Sequence, residues 1–449
     1  MKTLIIETTP ATPHAETALE IGKKESLLGS EVIYSPIFHL LPQLFWKSNI
    51  NGNNEGKEDS LVDWIRYLVN ITKEFSHVDF PDALDFKNLS SFEEIQRDPL
   101  NFIHDGQPLG KLVSSAVIEI YKETNLNLIN NDKLFIDLAL TAAFSYEISM
   151  RLINKHNPNK VVFFNGRTIE TYPIYLAAKK LKTDMLIHER GPTKNHFSIW
   201  TAPLHYVKNY ADELKKFSKG RNFDRAKLSA AIFFERQKNA KLSTFNYISA
   251  IQNHDHEINL SDLNRKYIVF FTSSNWELDL IPGQDLSNGL GNQYEVVEKL
   301  SDICKNESIQ LVIRLHPNSP VSEVNKFNLI SQKNKCLVIS PNDSLSSYIL
   351  GKKAFRNFSY ASTISWEFMH SHVNCAILSK SIGTDFKGVV ELNNAASIIE
   401  YIRQDLAPID NSFSIMLGDF LHNYGERYDY YKPNTLFSGI FNLTLDRAT

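Results

Sequence analysis

Residues 160–191 read KVVFFNGRTIETYPIYLAAKKLKTDMLIHERG, and this stretch decides the fold class. Lys160–Phe164 is a short run of β-branched and aromatic residues, which suits a strand buried on both faces. Asn165, Gly166 and Arg167 interrupt it as a loop. Residues 169–181 suit a helix, and Asp184–Ile187 returns to the strand pattern, with His188–Pro192 as the loop beyond. Strand, helix and strand in this compass make a βαβ unit, which requires a parallel sheet. Both loops then leave the carboxyl ends of parallel strands, where open α/β sheets hold their ligands. Arg167 and Glu189 are expected on one rim.

Upstream the same pattern recurs. Residues 3–6 form a predicted strand. Ala15, Ala18, Leu19 and Gly22 share one small-residue helix face, Gly29 ends that helix, and Glu31–Tyr34 is the next strand. Residues 45–110 read as an insertion. Residues 132–156 form a long apolar-rich helix stopped by Asn157-Pro158. The polar stretch 252–265 reads as an interdomain linker. Beyond it, strands are predicted at 267–271, 310–315, 336–339, 353–356 and 375–378. Helices are predicted near 292–305, 322–331, 343–350 and 363–371. That alternation makes a second doubly wound domain. The expected organisation is 1–262, 263–410, and a final segment 411–449 packing across both. A chain of 449 residues suits two domains, because single cores stop growing near ~250–300 residues.

Composition narrows the function. A net charge of −3 argues against a nucleic-acid binder, which needs a concentrated basic surface. The cysteines Cys304, Cys336 and Cys375 match no metal or redox spacing and fit a reducing cytosol. The opening MKTLIIETTP has too short an apolar run for a signal peptide, and no segment approaches the ~20 apolar residues that span a bilayer. The expected location is the cytoplasm, extending to the inner face of the inner membrane. Phe437, Ile440, Phe441 and Leu443 offer an apolar terminal stretch for membrane contact or, alternatively, for docking on the core.

Polar clusters follow every strand of the second domain. Thr272-Ser273-Ser274-Asn275-Trp276-Glu277 follows the first, Arg314-Leu315-His316-Pro317-Asn318 the second, Pro341–Ser344 the third, Asn357–Thr363 the fourth and Ser379–Ser381 the fifth. Arg314 and His316 suit phosphate oxygens as charge develops on a leaving group. Pro317 holds the preceding histidine extended. Ser362 and Thr363 stand at a helix start, where hydroxyls and free N–H groups favour an anion; a plain N-cap is the competing role for Ser362. Glu367 suits ribose hydroxyls, or a solvated helix face. In the first domain, His14 suits a base, an acceptor contact or a cap, and Glu16 complements a helix dipole. Glu189 lies between His188 and Arg190, so a surface ion pair competes with catalysis.

Other chemistries find little support. No Asp-x-Asp occurs, and His254-Asp-His-Glu257 lies in the linker without helical metal-ligand spacing. No Gly-x-Gly-x-x-Gly, Walker loop or Gly-x-Ser-x-Gly elbow is present.

The segments Phe164–Arg167, His188–Gly191, Phe271–Glu277, Arg314–Asn318, Pro341–Tyr348 and Ser359–Glu367 resemble the capsular polysaccharide biosynthesis transferases, the group that includes bacterial retaining β-Kdo transferases. The Arg-x-His-Pro element is also similar to that of polyol-phosphate polymerases and bacterial polysialyltransferases. The resemblance implies an α/β fold of GT-B type, with two Rossmann-like doubly wound domains facing a central cleft. It implies no metal and no cofactor, and a nucleotide-sugar donor such as CMP-Kdo held by the His-Pro and Ser-Thr loops. Ser273, Ser274, Arg167 and Asn318 join that donor set. A carboxylate, with Glu189 ahead of Glu277 and His14 as a further catalytic candidate, would act at the anomeric carbon. The acceptor would be a glycan or lipid-linked glycan, with peripheral membrane or biosynthetic-complex association as a further possibility. The family carries Gly before its Ser-Thr pair and Gly-Lys-Pro after the next helix; here Ala361 and His372-Val-Asn374 stand instead. A nucleotide-sugar epimerase or a polyol-phosphate transferase on the same scaffold is the alternative reading, and a catalytically dead glycan-binding protein a third.

Overall fold

In the computed structural model the described residues are 1–9, 13–42, 75, 77–191, 195–203, 205–238, 266–279, 283–343 and 345–433. The segment 252–265, the His254–Glu257 group and the apolar tail at 437–443 lie outside them. Met1–Tyr206 together with the chain from Tyr424 makes one compact unit, and Val207–Asp279 with Gly283–Asn423 makes another.

The first unit runs β1 (Lys2–Glu7), α1 (His14–Leu27), β2 (Glu31–Pro36), β3 (His77–Val78), α2 (Phe92–Arg97), α3 (Gly110–Tyr121), α4 (Asp132–His156), β4 (Lys160–Phe164), α5 (Tyr172–Lys180), β5 (Asp184–Arg190) and β6 (His196–Trp200). The final strand of this seven-stranded sheet comes from the returning chain, and the order is last strand–β6–β5–β4–β1–β2–β3. β3 to β5 are joined by parallel ladders, whereas β6 pairs antiparallel on both sides. Leu4, Ile5, Val161, Val162 and Phe163 are fully buried, each worth ~1.5–3 kcal/mol on transfer from water. The small face of α1 has a steric cause: a Cβ on Gly22 would lie 2.7 Å from Phe75 and 2.8 Å from Ile5. Asn131 caps α4 by accepting from the Leu134 amide, and Asn157 ends it in the left-handed region (φ 44°) before Pro158.

The second unit runs α6 (Val207–Ser218), α7 (Phe223–Lys238), β7 (Tyr267–Phe271), α8 (Asn275–Asp279), α9 (Gln293–Asn306), β8 (Gln310–Arg314), α10 (Val321–Asn334), β9 (Leu337–Ile339), α11 (Ser347–Lys353), β10 (Arg356–Ser359), α12 (Ile364–His370), β11 (Ala376–Ile377), α13 (Ala395–Arg403) and α14 (Ser412–Asn423); the chain then closes the first unit's sheet with β12 (Glu426–Arg427). The sheet is all parallel, in the order β11–β10–β7–β8–β9. Both units are thus Rossmann-like α/β layers. Strand order reverses between β1 and β4 in the first and between β7 and β10 in the second, the switch points where such sheets open a crevice.

Three expectations shift. Strand β5 does not stop at Ile187: its antiparallel ladder with β6 carries it on to Arg190, with Glu189 opposite Ser198. β10 starts at Arg356, not 353, because α11 continues to Lys353 and Arg356 registers with Ile268. Residues 207–238, read with the first domain, pack instead on α14, where a Cβ on Gly418 would lie 2.7 Å from that of Ala230. At the other end, 411–423 belongs to the second unit and the chain from Tyr424 to the first.

Candidate functional site

In the first unit the strand ends gather a dense polar cluster. Asn165 adopts φ 58° and Gly166 φ 72°, and this tight turn folds the Asn165 side chain back over β5. Its Nδ2 donates to Glu189 Oε2 at 2.7 Å and contacts His205 Nε2 at 3.2 Å. The Arg190 amide donates to Glu189 Oε1 at 2.9 Å. Glu189 is therefore held on both oxygens, and it stands in a strand rather than in a loop. Arg167 points its NH2 at Glu119, 3.5 Å away, and its Nε is buried with no acceptor among the described residues.

Three imidazoles surround these groups. His14, the first residue of α1, lies 3.7 Å from the ring of Phe164. Burial, then His188 and Arg190, hold it well below the usual histidine range. Burial takes His188 down to about 3. His205 is depressed by burial and by Arg167 and Arg190. All three are neutral at pH 7, and the Nδ1 atoms of His14 and His188 lack partners among the described residues. Neutral imidazoles beside two guanidinium groups and a fixed carboxylate can exchange hydrogen bonds with hydroxyls and acidic groups alike. Glu16 is buried in the first turn of α1.

The sequence reading missed Glu7, which ends β1. It is 1% exposed, accepts from the Thr9 amide at 3.0 Å and from the Tyr34 hydroxyl at 3.1 Å, and burial pushes it up to about 8. A carboxylate ending an apolar strand was the available signal.

In the second unit the loops after β7 and β8 are laced together. The His316 amide donates to Thr272 Oγ1 at 2.8 Å, and Ser274 Oγ donates to the Asn318 carbonyl at 3.3 Å. Asn318 Nδ2 donates to Glu277 Oε1 at 2.7 Å. The Asn318 backbone amide donates to His316 Nδ1 at 3.1 Å, so the imidazole proton sits on Nε2 and that atom is a donor. Burial lowers the His316 pKa, against a smaller opposing pull from Glu277. Pro317 is exposed at the turn.

Two further members of the expected donor set, Arg314 and Ser273, have their side chains engaged elsewhere in the fold. Arg314, buried, donates to Ser347 Oγ and to the carbonyls of Ser340 and Asp343. It braces the loop after β9, employment that its reading as a phosphate contact did not include. The Ser273 hydroxyl donates to the Tyr360 carbonyl, tying β7 to β10 across the switch point. Thr363 is exposed and makes no side-chain cap, and its helix has only seven residues. Ser362 accepts through its carbonyl from Ser365, and Glu367 is half-buried in the first turn.

Two buried residues here carried no sequence signal. Gln293 accepts from the Ser273 amide at 3.1 Å, donates to the Ser273 carbonyl at 2.7 Å and donates to Asn275 Oδ1. It thereby fixes the entry to α8, the short helix that bears Glu277. Glu323, 3% exposed, faces the Asn275 amide at 3.3 Å, and burial, reinforced by Glu277 and Asp279, raises it to about 7. In sequence it is one more glutamate in a helix's first turn.

No family model and no curated protein matches the chain. Among solved structures it is similar to the UDP-GlcNAc 2-epimerase of Methanocaldococcus jannaschii in complex with UDP-GlcNAc and UDP, at 13% identity over 93% of this chain and 98% of that one, TM-score 0.30. It is also similar to the beta Kdo 2,4 transferase KpsC of Thermosulfurimonas dismutans, at 8% identity over 58% and 79%, TM-score 0.36. A third is the UDP-GlcNAc 2-epimerase of Neisseria meningitidis bound to UDP-GlcNAc, at 14% identity over 93% and 97%, TM-score 0.32. At these scores and identities the likeness assigns no activity to the chain.

Proposed function

We propose that the chain is a GT-B-type glycosyltransferase of bacterial surface polysaccharide synthesis, with CMP-Kdo as the first donor to test and a glycan or lipid-linked glycan as acceptor. The observation that carries this reading is His316. Asn318 fixes it as a neutral Nε2–H donor and holds Glu277 beside it, next to a sheet switch point. A neutral donor there suits a leaving phosphate, since it stabilises developing charge without surrendering its proton. A second observation supports the local likeness to the transferase family. Ala361 and His372, which stand where that family has glycine, both adopt the left-handed region at φ 52° and 57°.

Glu189 and Glu277, one in each unit, are the candidate carboxylates for the cationic transition state of sugar transfer. The experiment is a calorimetric panel of CMP, UDP, GDP and CDP, followed by transfer assays of Glu189→Gln and Glu277→Gln. Glu189→Gln should bind nucleotide and transfer almost nothing. Near-normal transfer by Glu189→Gln with Glu277→Gln inactive moves the catalytic role to Glu277. Conversion of the sugar with no acceptor present favours the epimerase reading, and absence of any nucleotide binding defeats both.

A further inference from the structure

The second unit holds a cavity of about 320 Å³ away from its candidate nucleotide loops. It lies where the chain enters β11, at the amino end of that strand, whereas the Thr272–Glu277 and Arg314–Asn318 loops leave carboxyl ends. Met369, Val373, Val390, Leu406, Pro408 and Ile409 supply an apolar wall. Two features hold that wall in place. Arg356 donates to the Tyr401 carbonyl at 3.0 Å and to the Gln404 carbonyl at 2.7 Å, which fixes the end of α13. Gly388 adopts φ 87°, and a Cβ there would collide with the Asp410 carbonyl, so the 404–410 stretch lies directly on the turn at 388.

One polar group in the cavity has no employment in the fold. Tyr401 is 3% exposed and lines the cavity, and its hydroxyl has no hydrogen-bond partner among the described residues. Burial and, to a lesser degree, Cys375 hold the phenol far above the ordinary tyrosine range, so it keeps its proton and is a donor. An unpaired buried donor costs stability, and phenylalanine would fill the same space without that cost. A use for the hydroxyl then lies with an acceptor from outside the chain. The remaining wall chemistry narrows that molecule. Burial pushes the Cys375 thiol up to about 12, so it offers no thiolate for covalent capture. Lys387 and Asp410, the charged lining residues, pair with each other at 3.4 Å, so the walls call for no charged ligand. The volume is about twice the ~150 Å³ cavity that accepts benzene, which suits a body of two fused rings.

We propose that this cavity binds a small neutral molecule with an apolar body and a carbonyl oxygen that accepts from the Tyr401 hydroxyl. The site is independent of the transferase reading, since its occupation requires neither nucleotide nor sugar. The test is calorimetric titration of the full chain with 2-acetylnaphthalene and with 2-isopropenylnaphthalene, in which a methylene group of like shape replaces the ketone oxygen. The ketone should bind about tenfold more tightly. Tyr401→Phe should bind both probes alike, with the ketone about tenfold weaker than in the wild type. Its melting temperature should not fall, because the hydroxyl has no contact in the fold to lose. Val373→Trp should fill the cavity and abolish binding of both probes; where it lowers the melting temperature, Val390→Trp, at a wall position 38% exposed, replaces it. Equal affinity of the wild type for the two probes overturns the proposal, as does binding of neither. A preference that survives Tyr401→Phe, or binding unchanged in the tryptophan variants, places the probes elsewhere and overturns it too. A clear drop in the melting temperature of Tyr401→Phe assigns the hydroxyl to the fold and has the same force.

Discussion

The side-chain amide of Asn318 donates to Glu277 Oε1 across 2.7 Å, while the backbone amide of Asn318 donates to His316 Nδ1 at 3.1 Å. One residue thus orients the candidate carboxylate with its side chain and the candidate imidazole with its main chain, and the two effects are separable by mutation. Asn318→Ala should free Glu277 and leave the His316 tautomer in place. Transfer is expected to fall about 10- to 100-fold, as loss of a supporting contact does, with nucleotide affinity nearly unchanged. Steady-state kinetics beside calorimetry measure this; an equal loss in affinity would mean that Asn318 itself touches the nucleotide.

Glu7 makes the first unit sensitive to pH from the alkaline side. Its folded pKa is raised from 4.5 to about 8 by burial. A raised folded pKa means that its favourable contribution is complete below pH 4.5 and is lost as pH rises through 8. Glu7→Gln removes the cost of burying the charge. The variant should gain on the wild type steadily from pH 4.5 to 8, by about 3 kcal/mol at pH 7. Melting curves across this range test it, and a difference independent of pH would refute the buried-acid account.

His14, His188 and His205 act on the opposite limb. Their folded pKa values are depressed, so the stability they contribute is present above about pH 6.5 and is lost as pH falls below it. Each can cost about 1.4 kcal/mol per pH unit once the unfolded chain is protonated. His188→Asn should therefore flatten the acid side of the stability curve, measured against the Glu7→Gln background.

Ala361 and His372 hold left-handed backbone at φ 52° and 57°. His372 closes α12 with its amide on the Met369 carbonyl, and Val373 reaches back to Phe368 at 2.8 Å, the geometry that usually recruits glycine. A residue with a Cβ costs roughly 1–2 kcal/mol in this region, partly offset by the greater chain entropy of glycine. Ala361→Gly and His372→Gly should each stabilise the second unit by about 0.5–1 kcal/mol. A lower melting temperature for both would show that the side chains contribute more than their backbones cost.

Glu20 is buried in α1 and accepts from the backbone amides of Asp429, Tyr430 and Tyr431, each at 2.8 Å. Lys24 adds an ion pair to Asp429 at 3.1 Å, and Thr17 meets the Tyr428 hydroxyl at 2.6 Å. Hydrogen bonds to a charged acceptor are worth about 1.5–3 kcal/mol each. Glu20→Ala should release the returning chain and accelerate amide exchange at 429–431 before that in β1. Unchanged exchange at those three amides would contradict the role of Glu20 as their anchor.

Much of this architecture was legible before any coordinate. KVVFF at 160–164, YIVFF at 267–271 and QLVIR at 310–314 announce buried parallel strands because side-chain pattern is a property of a few neighbouring residues. The stop at Asn157-Pro158 and the placing of Asn165, His316 and Asn318 after strands follow from the same local chemistry. Only the tertiary structure decided which of these polar residues is available for chemistry. Arg314 looks free in sequence, yet its acceptors lie 26, 29 and 33 residues onward. Strand β6 extends β5 past His188, a pairing no periodicity within 184–190 encodes. The raised acids Glu7 and Glu323 owe their state to desolvation by residues remote along the chain. Periodicity and turn chemistry act over a few residues, whereas burial and partner choice belong to the packed whole, and it is the latter that sets protonation and reactivity.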